Sequence, residues 1–93
     1  MVTKYADREV FTREHMFDGA GSITNRVVAT QETMYGKNRL FNHGYLEKGC
    51  EVGWHIHKGD GEVYYILSGE GEFNDNGTVV TVKAGDVCWT PDG

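Results

Sequence analysis

The stretch that decides the fold runs from Gly49 to Gly69 and reads GCEVGWHIHKGDGEVYYILSG. His55 and His57 stand two residues apart within an extended, apolar-rich run. Side chains alternate faces along a strand, so the two imidazoles project from one side, roughly 6.5–7 Å apart along the chain. That spacing lets both reach one ion at the 2.0–2.1 Å typical of a metal–imidazole bond. A pair of this kind also occurs as plain polar residues on a solvent-facing strand, so more is needed. The turn Lys58–Gly61 carries two glycines and lets the chain reverse, which brings Glu62 back beside the pair. Two imidazoles and a carboxylate form a facial set suited to a divalent transition metal, with the remaining positions open to water or a small ligand. By the same alternation Tyr64 and Ile66 share Glu62's face, and the phenol of Tyr64 becomes the candidate catalytic group. Trp54 and Ile56 point the other way and are expected to pack in a core or an interface, as are Tyr65 and Trp89.

Outward from this stretch the pattern is that of an all-β protein. RVVAT from Arg26, RLFNHGYLE from Arg39, VGWHIH, EVYYILSG, TVVTVK and DVCWT are short β-rich runs at intervals of 8 to 12 residues or a little more, separated by turn formers. Asn76-Gly77 between two such runs predicts a type I′ hairpin, because both central residues of that turn need positive φ. Residues 1–25 read as an irregular N-terminal arm with at most one short strand. Residues 26–93 read as the β-domain.

Composition narrows the function classes. The 93 residues carry a net charge of −5, and the basic residues are scattered singly, so no basic face for nucleic acid is expected. No apolar run approaches the roughly 20 residues that span a bilayer, and the first residues are charged rather than signal-like. No membrane partner and a cytoplasmic location are the expectation. Cys50 and Cys88 lie 38 residues apart and fit neither a disulfide framework nor a thiolate zinc site.

The motifs resemble those of the small single-domain cupins. The first cupin motif is Gly, five residues, HxH, three or four residues, Glu, six residues and Gly; Gly49, His55, His57, Glu62 and Gly69 fall at those places. The second begins Gly, five residues, Pro, x, Gly, matched by Gly85, Pro91 and Gly93. The resemblance covers Gly49–Gly93. It implies a double-stranded β-helix, or jelly-roll barrel, and a metal held by His55, His57 and Glu62, the ion being Mn, Fe, Ni, Co, Cu or Zn. The family's fourth ligand, a His three positions past the residue matched by Gly93, has no counterpart here, and the barrel is expected to be C-terminally incomplete. His43 and His15 are the remaining histidines that could substitute. An incomplete barrel predicts a homodimer or larger assembly, with exchange of strands as one route. The function so implied is a metal-binding cupin that also holds a small polar ligand. The alternative is a metal-dependent dioxygenase or other oxidoreductase, an isomerase or a decarboxylase acting on a small oxygen-rich substrate.

Overall fold

The computed structural model describes residues 1–93. The chain forms two compact units, Met1–His55 and Ile56–Gly93. Seven strands and two single-turn 3-10 helices make up its regular structure, and no helix is long and apolar enough to cross a membrane.

The first unit is a three-stranded antiparallel sheet in the order β1 (Val10–Glu14), β2 (Ser22–Ala29), β3 (Phe41–Tyr45). The central strand, SITNRVVA, is rich in β-branched residues, and its ladder with β1 is reinforced where Thr12 and Thr24 stand opposite each other with hydroxyls 3.1 Å apart. Arg26 anchors the N-terminal residues. Its guanidinium stacks 3.9 Å above the Tyr5 ring and donates to the Tyr5 carbonyl at 2.9 Å. After β1 the chain turns sharply through Met16–Asp18, where His15, Phe17 and Asp18 all take left-handed φ of 49–62°. This turn is held by the segment that leads to His55: Glu51 N–H donates to the Ala20 carbonyl, and Gly53 N–H to that of Met16.

The second unit pairs β4 (Glu62–Tyr65) with β7 (Val87–Thr90), and β5 (Glu70–Asp75) with β6 (Thr78–Lys83). The β5–β6 hairpin closes as its sequence predicts: Asn76 and Gly77 have φ of 49° and 98°, and Gly77 N–H donates to Asn74 Oδ1 at 2.8 Å. Alternation along β4 and β7 is equally regular. Glu62, Tyr64, Cys88 and Thr90 lie on the more covered face, while Val63, Tyr65, Val87 and Trp89 face outward. Cys88, at 6% exposure, is the single buried hydrophobic residue.

Two expectations from the sequence change at this level. The run Val52–His57 forms no strand ladder. Its backbone bonds are isolated ones to turns and chain ends, at Gly53 to Met16 and at His57 to Gly93, so no partner strand runs alongside it. Trp54 and Ile56, expected in a core or an interface, join no core: they are 67% and 62% exposed in the single chain, and Tyr65 and Trp89 are exposed to a similar extent. Parity assigns a side chain to a face, but only a second layer covers it.

Candidate metal centre

His55 is oriented from two sides. Its Nδ1 lies 2.8 Å from the Gly53 carbonyl oxygen, and a carbonyl can only accept, so Nδ1 carries the hydrogen and Nε2 presents its lone pair. The Phe17 ring stacks on the imidazole with centroids 3.9 Å apart and planes 8° from parallel. Gly53 makes this approach feasible. A Cβ at that position would overlap the Phe17 carbonyl oxygen and crowd Gly19 N.

His57 and Glu62 are brought together by the Lys58–Gly61 turn. Here Gly59 N–H donates to Asp92 Oδ1 at 2.8 Å, and Gly93 N–H donates to the His57 carbonyl at 2.7 Å. The turn is therefore clasped by the residues matched to the second cupin motif. His57, only 9% exposed at its side chain, points Nε2 at Glu62 Oε1 over 3.6 Å and Nδ1 at Asp60 Oδ1 over 3.6 Å. Glu62 is three-quarters covered.

The ligand-capable atoms of His55, His57 and Glu62 all lie within 4.8 Å of one another. The grouping is local, contained in one eight-residue stretch. Donors bonded to one ion at about 2.0–2.2 Å stand roughly 3.0–3.4 Å apart, so the 3.6 Å between His57 and Glu62 is close to a coordinated separation and the donor set suits a borderline divalent ion. His15 and His43 do not join the group. His15 Nδ1 sits 3.2 Å from the Gly19 carbonyl, and His43 Nδ1 sits 3.0 Å from the Tyr45 hydroxyl.

Tyr64 lies on Glu62's side of β4, opposite Cys88 across the ladder. Burial, reinforced by its bond to Glu62 and by that carboxylate's charge, drives its phenol far above the ordinary tyrosine range. Burial, with the charges of Asp86 and Asp75, likewise raises the Cys88 thiol.

Sequence reasoning missed Phe17 and Asp60. Asp60, three residues beyond His57 in a glycine turn, was detectable as a partner for the second ring nitrogen. Phe17, 38 residues before His55, carried no local signal.

A family model described as a cupin domain matches residues 42–93. A protein from Thermotoga maritima described as an oxalate-binding protein is 47% identical over 79 residues, which is 85% of this chain and 65% of the relative. The match thus spans a little less than two thirds of that protein. A solved structure from the same organism, described as a predicted oxalate decarboxylase, superposes with a TM-score of 0.93 at 42% identity, over 100% of this chain and 81% of the other.

Proposed function

The chain belongs to the cupin family, with its all-β jelly-roll fold, and on that premise we propose that it holds one divalent transition metal through His55, His57 and Glu62 and binds a small dicarboxylate of the oxalate type beside it. The domain proposed to carry this function is that expected over residues 26–93, joined by β1 and the Phe17 turn from residues 1–25. The observation behind the proposal is the convergence of the three donors within 4.8 Å. The oxalate-binding relative supports the ligand class.

When bound, the metal supplies a Lewis-acidic centre with positions left for the oxygens of an anionic ligand. The chain's own residues do the rest. Gly53 and Phe17 fix the His55 ring, Asp60 faces the far nitrogen of His57, and Tyr64 lies on Glu62's side of β4. Binding without turnover is the favoured reading, because the relative matched over 79 residues is described as an oxalate-binding protein. Decarboxylation is the second reading, favoured by the description of the solved neighbour.

The test is a titration of metal-loaded and chelator-stripped protein with oxalate, followed by assay for carbon dioxide. Oxalate binding that requires metal and releases no carbon dioxide supports the first reading. Stoichiometric release supports the second. Equal oxalate binding with and without metal would sink both.

A further inference from the structure

The Lys58–Gly61 turn, which carries the chain from His57 to Glu62, is tied at three points to the end of β7 and the residues after it. The His57 carbonyl accepts the N–H of Gly93 at 2.7 Å, and Gly59 N–H donates to Asp92 Oδ1 at 2.8 Å. Gly61 passes so close to Thr90 that a Cβ there would stand 2.8 Å from the Thr90 carbonyl oxygen. On the reading that His57 and Glu62 ligate a metal, we infer that Asp92 is a positioning residue of that centre. Its carboxylate, acting through Gly59, sets the separation of the two donors.

The turn is where that separation is decided. Two of its four residues are glycines, and Gly59 has a φ of 84°. Glycine has the widest backbone freedom and loses the most entropy on ordering, so a span of this composition fixes little by itself. The Lys83–Asp86 turn closes on its own residues: Asp86 N–H donates to the Lys83 carbonyl, and Asp86 Oδ2 accepts from Lys83 N–H in return. At Gly59 the carboxylate comes from 33 residues away.

Asp92 makes the single side-chain bond among the three ties. A carboxylate that accepts from a peptide N–H forms a charge-assisted bond, roughly twice as strong as a neutral one. It grips the middle of the turn, between one donor and the other. The 3.6 Å from His57 Nε2 to Glu62 Oε1 already approaches the spacing of two atoms on one ion, so the tie acts by preorganisation and removes an ordering cost that binding would otherwise meet.

The experiment loads the full chain with Co(II), whose visible bands report coordination geometry, and measures affinity by chelator competition. Asp92→Ala removes the acceptor and should weaken binding roughly 10-fold, the lower end for groups that stand behind metal ligands, with altered bands and an unchanged circular dichroism spectrum. Asp92→Asn keeps the Oδ1 acceptor and should stay near the parent value. Asp86→Ala loses the same kind of carboxylate-to-backbone bond in another turn and should bind as the parent does. Equal affinity and bands for Asp92→Ala and the parent overturn the inference. So does an Asp92→Asn as weak as Asp92→Ala, which assigns the effect to charge, or an Asp86→Ala equally weak, which assigns it to lost stability. A parent that binds no Co(II) sinks the metal reading and the inference with it. Should Asp92→Ala fail to fold, the parent decides: coupling is reciprocal, so saturating Zn(II) should slow exchange of the Gly59 amide, and exchange unchanged by Zn(II) overturns the inference.

Discussion

The Phe17 ring lies flat on the His55 imidazole, 3.9 Å from centroid to centroid. Phe17 reaches that position from a turn in which three of four consecutive residues, His15, Phe17 and Asp18, adopt left-handed φ. Such conformations cost on the order of 1–3 kcal/mol each for residues other than glycine, and they persist where surrounding contacts over-determine them. The contacts here are the bonds from Glu51 and Gly53 to the turn and the ring stack itself.

Replacing Phe17 should therefore loosen His55 rather than remove a ligand. Phe17→Leu is expected to weaken metal binding about 10-fold while Phe17→Tyr, which keeps the planar ring, stays near the parent value. Competition with a chromogenic chelator would measure both. Equal affinities for Phe17→Leu and the parent would show that the stack has no part in presenting His55.

The double substitution His55→Ala, His57→Ala should take metal content, by mass spectrometry, from about one ion per chain to none. Protons compete with the ion for imidazole nitrogen, so the parent's affinity should fall between pH 7.5 and pH 5. Retained metal in the double variant would exclude these histidines as ligands, and equal affinity at the two pH values would argue for an all-carboxylate site.

Asp60 faces the nitrogen of His57 that points away from Glu62. Partners of this kind typically change metal affinity by about 10–100-fold, and Asp60→Asn is expected to lower it within that range with stoichiometry intact. An unaltered affinity would make Asp60 a residue of the turn alone.

Cys88 should resist thiol reagents in the native protein and react fully on unfolding, since it is buried and its thiol is raised by that burial and by Asp86 and Asp75. Linkage fixes the sign of its effect on stability. A neutral thiol in the fold, set against one that ionises readily in the unfolded chain, contributes fully below the ordinary thiol range. That contribution is lost as pH rises through the range and on towards the raised folded value. Cys88→Ala should therefore flatten the decline in denaturation midpoint between pH 8 and pH 10. A slope identical to the parent's would place the alkaline sensitivity elsewhere.

The nearness of His55, His57 and Glu62 was legible in the sequence because they sit within eight residues, where an extended run and one glycine turn suffice to relate them. The same parity placed Tyr64 with Glu62 and predicted the Asn76-Gly77 hairpin, both of which depend only on neighbours in the chain. Phe17 over His55 depends on a tertiary approach across 38 residues, and no local period encodes it. The missing ladder at Val52–His57 has the same origin, since an extended β-rich run looks alike with or without a partner strand alongside. Trp54 and Ile56 are exposed in the single chain, because coverage depends on what else lies on that side.

Gly53 carries a further consequence, one of mutational tolerance. Gly49, Gly59 and Gly69 have φ near 80° and open space where a Cβ would stand, so a substitution scan should find Asn and Asp surviving there at modest cost. Gly53 is not among the glycines with positive φ, so left-handed strain is not what bars a side chain there; the Phe17 carbonyl already fills the volume of the first side-chain carbon. Alanine should be as poorly tolerated as tryptophan. The scan should show a gap one residue wide, two positions before the first donor, whose cause is a backbone oxygen 36 residues earlier in the chain.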